Sequence, residues 1–241
     1  MGGIFDARFG AFFQRDNMTE TTRKELDGEA FSALYPALQA HIQGMESSYP
    51  LDYQRVDEKT RPVIAELGHL RGGKVADIGS NFGMFSLLTS RYAREVIGFE
   101  RSSPIYAVSQ ASKNFFETKG YDLSNVRFVN GAVKAVVDVD YDSLLLTLVL
   151  YHLNNQEVDM LIEDARKKCE RAVIQCRPGR GVEFHRGALT DHVSRNDRFD
   201  GLYDIAGNIR FLNDIGLKKI RVSVSPKLFG REVFPVLIAD R

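Results

Sequence analysis

The hydrophobic and polar positions divide the chain into two regions with different spacing. In the first sixty residues, apolar side chains recur three and four positions apart, which is typical of amphipathic helices. Two such sets are present: Phe5, Phe9, Phe12 and Phe13, then Phe31, Leu34, Tyr35, Leu38, Ile42 and Met45. We expect an N-terminal helical cap or lid over residues 1–60 and a separate domain over residues 61–241. The pattern leaves open whether the cap closes a cleft or only packs on the core.

Short apolar runs in the second region predict β-strands. Five of them are separated by segments long enough for a helix: "KVADIG", "EVIGFE", "VRFVNG", "SLLLTLVL" and "RAVIQC". Strands that are apolar throughout are covered on both faces, as in parallel sheets. Near the C-terminus, "KKIRVSVS" and "REVFPVLIAD" flank the turn "PKLFG", and runs joined so tightly pair antiparallel. We therefore predict a three-layer, Rossmann-like α/β fold whose mostly parallel sheet has an antiparallel edge.

Boundary residues support the predicted helices between these strands. Pro104 begins the segment "SPIYAVSQASKNFFETKG", which ends at Gly120. Asn154 stands three residues before Glu157, the spacing of a capping box. The segment "LYDIAGNIRFLNDIG" ends at Gly216 in the same way.

Composition narrows the classes of partner. The 241 residues, 44% of them hydrophobic, suffice for one catalytic-size domain and a small cap. Thirty-two basic and thirty-two acidic residues leave no net charge, which argues against a nucleic-acid partner. Two cysteines without metal-ligand spacing favour a reducing cytoplasm. No run has the length of a membrane span, and Asp6 stands where N-myristoylation needs Ser or Thr. We expect a soluble cytoplasmic protein; its oligomeric state stays open.

The first strand-to-helix turn indicates the ligand class. In open sheets of this kind, ligands bind beyond the carboxyl ends of the strands, and "DIGSNFG" places Asp77, Gly79 and Gly83 there. A dinucleotide motif needs a glycine where Asn81 stands, and a P-loop needs Gly-Lys-Ser/Thr. Glu100 ends the second strand, where a carboxylate accepts hydrogen bonds from a ribose diol. The two features predict an adenosine ligand without a pyrophosphate; a nicotinamide-dependent oxidoreductase is the alternative.

The order of motifs resembles a known enzyme family. Over roughly residues 62–241, "VADIGSNFGMFS", "VIGFER", "VRFVNGAV", "YDSLLLTLVLYHL" and "RAVIQCRPG" are similar to the motifs of class I S-adenosylmethionine-dependent methyltransferases. "VIGFER" before a helix is also similar to FkbM-like O-methyltransferases. The resemblance implies a seven-stranded sheet with an antiparallel last strand, and S-adenosyl-L-methionine as cofactor. With the neutral charge, we expect a small-molecule methyl acceptor; a protein or RNA acceptor and a catalytically silent cofactor-binding subunit are further alternatives.

The resemblance also implies cofactor contacts. It places the methionine moiety near Gly79, the ribose hydroxyls on Glu100 and the adenine beside Asn130, where many family members carry an acidic residue. The full set of expected contacts is Asp77, Gly79, Ser80, Asn81, Gly83, Glu100, Arg101, Asn130, Gly131, Ala132 and Leu148. Tyr53 and Arg55, just before the domain, are further candidates to hold the methionine carboxylate.

Methyl transfer from a sulfonium needs alignment and, for some acceptors, one base. His152 follows the fourth strand in "LYHLNN" and is the first candidate, because the end of that strand borders the methyl group in this fold. His185 and His192, in the long connection after the fifth strand, are second candidates. With Asp191 they offer metal ligands, but no clustered carboxylates accompany them, so we expect no metal.

Overall fold

A computed structural model describes residues 60, 62–118, 120–176, 205–223 and 234–241. The predicted N-terminal cap before residue 60 lies outside these ranges, as do the site candidates Tyr53, Arg55, His185 and His192. Across the described ranges, no helix combines the length and the apolar character needed to cross a membrane.

Within the described ranges, seven strands form one sheet in the order β3-β2-β1-β4-β5-β7-β6. Neighbours among β1 to β5 run parallel, whereas β7 is antiparallel to both β5 and β6. The predicted mostly parallel sheet with an antiparallel last strand is confirmed, but that strand lies inside the sheet and β6 forms the edge. The strands are β1 (Lys74–Ile78), β2 (Glu95–Glu100), β3 (Val126–Asn130), β4 (Ser143–Thr147), β5 (Arg171–Gln175), β6 (Lys219–Ser223) and β7 (Val236–Asp240).

The helices follow the predicted boundary signals. The capping box is present: the Asn154 side chain accepts from the Glu157 amide at 3.0 Å, and the Glu157 carboxylate accepts from the Asn154 amide at 2.9 Å. Gly120 and Gly216 have the left-handed backbone expected after a helix, with φ of 87° and 91°. The helices are α1 (Met84–Thr89), α2 (Ser103–Thr118), α3 (Val133–Val137), α4 (Asn155–Lys168) and α5 (Ile205–Asp214), with 3-10 helices at Leu67–Leu70 and Leu150–His152.

The fourth strand is shorter than its apolar run. It ends at Thr147 because Leu148 has a left-handed backbone, with φ of 54°, and the Leu148 amide turns to donate to the Gln175 carbonyl at 3.1 Å. The last residue of the run, Leu150, begins the 3-10 helix Leu150–His152. The apolar pattern thus continues through the turn because those residues remain at least partly buried.

Alternate residues of the strands face two separate cores. One core contains Ala76, Leu144 and Ala172 and is covered by α3, α4 and α5. The other contains Val75, Leu145 and Val173 and is covered by α1, α2 and the 3-10 helix Leu67–Leu70. Strand order reverses at β1, which pairs with β2 on one side and β4 on the other. The carboxyl ends of β1 and β4 therefore open the crevice where ligands bind in such sheets.

Gly98, in the middle of β2, is required by the packing of the second core. A Cβ at this position would lie 2.6 Å from Phe128 Cδ1 and 2.7 Å from Ser86 Oγ. We predict that Gly98→Ala lowers the free energy of unfolding by about 1–3 kcal/mol, because it overpacks a filled interior. Chemical denaturation measures this change. Gly68→Ala is the matched control, since its nearest neighbour there is Tyr92 Cε1 at 3.9 Å; equal stability of both variants would contradict the packing.

Candidate functional site

Left-handed residues build the turn from β1 to α1. Gly79, Asn81 and Gly83 have φ of 72°, 52° and 83°. The amides of Gly79 and Ser80 both donate to the Phe99 carbonyl at 2.9 Å, which fixes the turn against the end of β2. Asparagine is among the few non-glycine residues that adopt this conformation readily. The turn therefore keeps its shape without a glycine at position 81.

Both glycines of the turn are also required by their neighbours. A Cβ on Gly79 would lie 2.5 Å from Val149 Cγ2, and one on Gly83 would lie 2.5 Å from Phe128 Cζ. The close approach at Gly79 is thus made by the chain's own β4 end. This contact brings the residues after β4 directly against the turn, so that the two sides of the crevice meet at Gly79.

The carboxylate of Glu100 connects the turn to the start of α2. One oxygen, Oε2, accepts from the Asn81 amide at 3.2 Å, and the other, Oε1, accepts from the Ser102 amide at 2.8 Å. The residue is 8% exposed. A carboxylate has about four acceptor positions in all, so about two remain. A ribose diol donates two hydrogen bonds, so these positions leave room for the contact that the sequence predicts for Glu100.

Asn130 holds the ends of β2 and β3 together. Its amide nitrogen donates to the carbonyls of Glu100 and Arg101, at 2.8 and 3.3 Å. Its amide oxygen accepts from the Ser103 hydroxyl at 2.8 Å. One acceptor position of that oxygen is left. The bond to Ser103 was not predictable from a local pattern, since the two residues are far apart along the chain.

Asp77 is fully buried in β1 beneath the turn. Its Oδ2 accepts from the Ser86 hydroxyl of α1 at 2.5 Å, whereas its Oδ1 has no hydrogen-bond partner within the described ranges. Burial raises the pKa of Asp77 to about 7, the Ser86 hydrogen bond opposes this rise, and the charge of Glu100 adds to it. The hydroxyl of Ser80 is likewise buried and lacks a partner in the described part of the chain. The sequence did not indicate Ser86.

The residues after β4 form the other side of the crevice. Leu148 is a non-glycine residue in the left-handed region, an uncommon conformation that costs energy and is often found at functional sites. His152 ends the following 3-10 helix, and its ring centroid lies 4.2 Å from that of Tyr151. The His152 side chain is exposed.

The structure brings most of the predicted cofactor residues into one network at the carboxyl ends of the strands. Hydrogen bonds at the turn and at the end of β2 link Gly79, Ser80, Asn81, Gly83, Glu100 and Asn130 to one another or through Phe99. Asp77 interacts electrostatically with Glu100. Arg101 joins through its carbonyl, and its side chain is exposed. Gly131 donates to the Glu100 carbonyl at 3.0 Å, and Ala132 precedes α3. The described residues contain no group of three or more potential metal-ligating side chains.

Comparison with solved structures identifies the fold. Magnesium protoporphyrin IX methyltransferase (ChlM) from Synechocystis PCC 6803, with bound S-adenosylmethionine, has 17% identity and a TM-score of 0.55, covering 91% of this chain and 100% of its own. The methyltransferase domain of bacterial CtHen1 has 14% identity and a TM-score of 0.54, with 76% and 98% covered. The N-terminal domain of EvdMO1, with bound S-adenosylhomocysteine, has 17% identity and a TM-score of 0.50, with 77% and 81% covered.

No model of a protein family matches the chain, and no curated protein matches it significantly. At such identities the likeness is one of fold. The chain therefore has the Rossmann-like fold of the class I S-adenosylmethionine-dependent methyltransferases, as the order of its motifs led us to expect.

The buried carboxyl of Asp77 predicts a pH-dependent stability. Its pKa is higher in the folded than in the unfolded chain, so its favourable contribution is complete below about pH 4 and is lost as the pH rises through about 7. Asp77→Asn keeps the shape and removes the charge. We predict that this variant gains stability over the wild type between about pH 5 and pH 8, by on the order of 2–4 kcal/mol.

Thermal and chemical denaturation at the two pH values measure this gain. Asp159→Asn, at an exposed position of α4, serves as the control and leaves the pH dependence unchanged. A gain for Asp77→Asn that is the same at both pH values would contradict the burial of an ionisable Asp77.

Proposed function

We propose that the chain is an S-adenosylmethionine-dependent methyltransferase that acts on a small-molecule acceptor. The observation that carries the proposal is the pairing of Glu100 with the turn: a carboxylate with about two free acceptor positions lies against a backbone in which Asn81 replaces the pyrophosphate-facing glycine. Solved structures with this fold contain S-adenosylmethionine or S-adenosylhomocysteine.

The charges of the crevice favour this ligand over a dinucleotide. Glu100 and Asp77 are both acidic, and the elements packed against Asp77 offer it no basic side chain among the described residues. A pyrophosphate would bring two further negative charges to the turn, and like charges in a partly buried site repel strongly. The sulfonium and the ammonium of S-adenosylmethionine bring positive charge instead. The site is thus better suited to an adenosine compound with a cationic tail.

In the proposed mechanism, different residues bind the cofactor and accept the proton. When bound, S-adenosylmethionine supplies a methyl group that is already activated. In our proposal Glu100 holds the ribose, the turn at Gly79 holds the methionine part, and the segment from Asn130 to Ala132 lies beside the adenine. Leu148 borders the methyl group, and His152 accepts a proton from the acceptor where its chemistry requires this. Tyr53, Arg55, His185 and His192 are further candidates for contacts with the methionine carboxylate and the acceptor.

Several features support a small acceptor and a cytoplasmic location. The chain has no net charge, whereas RNA-binding proteins usually carry a basic surplus. ChlM, which has the same fold, is named for magnesium protoporphyrin IX, a small molecule. Both cysteines, Cys169 and Cys176, are buried thiols, as suits a reducing compartment. We further propose that residues 1–60 cover the acceptor. The proposed mechanism uses no metal ion.

Methyl transfer is tested with the purified chain, S-adenosylmethionine labelled with tritium in its methyl group, and a fractionated cell extract. Label that passes into the small-molecule fraction supports the proposal. Label that passes only into protein or RNA would contradict a small-molecule acceptor and indicate a macromolecular one. A chain that binds the cofactor but transfers no label to any fraction would be a silent binding subunit.

Glu100→Ala tests the placement of the ribose. We expect the variant to bind S-adenosylhomocysteine more weakly by about 2–4 kcal/mol, because one or two hydrogen bonds to a charged group are lost. Titration calorimetry measures this difference, and circular dichroism establishes that the variant folds. Glu163→Ala is the matched control, because Glu163 is an exposed glutamate of α4 outside the set of expected cofactor contacts. Unchanged affinity of Glu100→Ala would count against the placement.

His152→Ala tests the proposed base. Turnover with the acceptor fraction should fall roughly 100- to 10,000-fold, the usual contribution of a general base. The affinity for S-adenosylhomocysteine should stay unchanged, because the residue is placed beside the acceptor. Initial rates and calorimetry on the same preparation measure the two quantities. Full activity of the variant would remove His152 from the mechanism.

A further inference from the structure

One face of the sheet carries polar side chains at the carboxyl ends of several strands. Successive strand residues face opposite sides of a sheet, so Thr147 and Gln175 share the face of the second core, which contains the residue two positions before each of them. The same alternation places Glu100 and Asn130 on that face. The register pairs Thr147 with Gln175, and Glu100 with Asn130. These four residues form one polar row across β3, β2, β4 and β5.

Gly79, directly after β1, divides the polar row. The pairing of β1 with β2 and with β4 ends at the residue before it, so Gly79 stands level with Glu100 and Thr147. In the proposed function the adenosine part of the cofactor occupies the half with Glu100 and Asn130. The half with Thr147 and Gln175 is thus left for the acceptor. Because neighbouring strands lie about 4.8 Å apart, Gln175 is roughly 10 Å from the turn.

The half of the polar row on β4 and β5 is uncharged and has apolar surroundings. Gln175 is 3% exposed and pairs in register with Val236, which is completely buried. Val149, which follows β4, lies against Gly79. None of the four residues of the polar row has a basic side chain. A charged acceptor group buried against Gln175 would therefore find no opposite charge in the row, which is unfavourable.

The side chain of Gln175 has the hydrogen-bonding capacity that such a subsite needs. A glutamine amide has two N–H donors and an oxygen that accepts twice, so it can hold a neighbour within the protein and a ligand group together. Its backbone carbonyl accepts from the Leu148 amide at 3.1 Å, which fixes the end of β4 against β5. A few polar groups fixed within apolar walls are typical of sites that bind small molecules.

We propose that Gln175 and Thr147 form the polar contact of the acceptor subsite. They select an acceptor that carries an uncharged hydrogen-bonding group, such as a hydroxyl, a carbonyl or an amide, several bonds away from the atom that is methylated. The inference rests on the proposed function and adds to it the class of substrate. Both residues bind the acceptor, and neither takes part in proton transfer.

Tritium transfer from S-adenosylmethionine to the active small-molecule fraction of a cell extract tests the subsite. Initial rates of the full chain over a dilution series of that fraction give its half-saturating amount and the maximal rate. Thr147→Val and Gln175→Leu remove the polar groups at nearly constant volume. We expect each to raise the half-saturating amount roughly 3- to 30-fold, the effect of one lost hydrogen bond, with little change in the maximal rate.

Matched variants separate this effect from a change in folding. Thr147→Ser keeps the hydroxyl and should restore a half-saturating amount close to that of the wild type. Thr89→Val removes the hydroxyl of a completely buried threonine at the end of α1, outside the polar row, and should behave as the wild type. Calorimetry with S-adenosylhomocysteine should give the same affinity for all these variants, because the cofactor occupies the other half of the row.

The outcomes for the subsite and for the proposed function are distinct. Wild-type half-saturating amounts for both Thr147→Val and Gln175→Leu would overturn the subsite and leave the proposed function intact. Mass spectrometry of the labelled product tests the substrate class, and a product whose polar groups away from the new methyl are all charged would contradict it. Absence of cofactor binding by the wild type would overturn the proposed function, and the subsite with it.

Discussion

The carboxyl end of β2 accepts hydrogen bonds from the segments that surround the candidate site. The Phe99 carbonyl accepts from the first two amides of the β1 turn, and the Glu100 carbonyl accepts from Asn130 and Gly131 at the end of β3. The Glu100 carboxylate accepts from the turn and from the start of α2. The turn before α1, the end of β3 and the start of α2 are therefore all hydrogen-bonded to two consecutive residues, Phe99 and Glu100. Because its carboxylate accepts from two backbone amides, the Glu100 side chain is held in place before a ligand binds. Such preorganisation lowers the entropic cost of binding.

The same strand end sets the electrostatics of the crevice. Glu100 lies near the surface, and burial raises the pKa of Asp77 below it to about 7, because a charge there is costly. Classical dinucleotide sites use the same first turn with a glycine that admits a pyrophosphate. Here the turn keeps its left-handed shape through Asn81, while the charges oppose a phosphate. In our proposal, shape and charge therefore favour the same kind of ligand, an adenosine compound that carries positive charge.

Most of the fold follows from local patterns in the sequence. Strands that are apolar throughout, the Asn154 capping box and the glycines after α2 and α5 depend on a few adjacent residues, and the structure contains all of them. The position of β7 between β5 and β6 does not follow from the residues alone, because an apolar strand fits either place; the tight connection between the last two runs predicted only that they pair antiparallel. The early end of β4 depends on Leu148, a residue type with no preference for the left-handed region.

The candidate site likewise has one part that the sequence predicts and one part that it does not. Asp77, Gly79, Gly83 and Glu100 stand at fixed offsets from strand ends, so their common location was predictable. The partners that define their chemistry were not: Ser86 against Asp77, Ser103 against Asn130 and Val149 against Gly79 are contacts between separate elements. Such contacts arise from packing, for which a single sequence has no periodic signal.

The most direct test of the account is a pair of calorimetric titrations of the purified chain, one with S-adenosylmethionine and one with a nicotinamide dinucleotide. The account predicts saturable, one-to-one binding of S-adenosylmethionine and no measurable binding of the dinucleotide. Saturation by the dinucleotide, with no heat from S-adenosylmethionine, would contradict it.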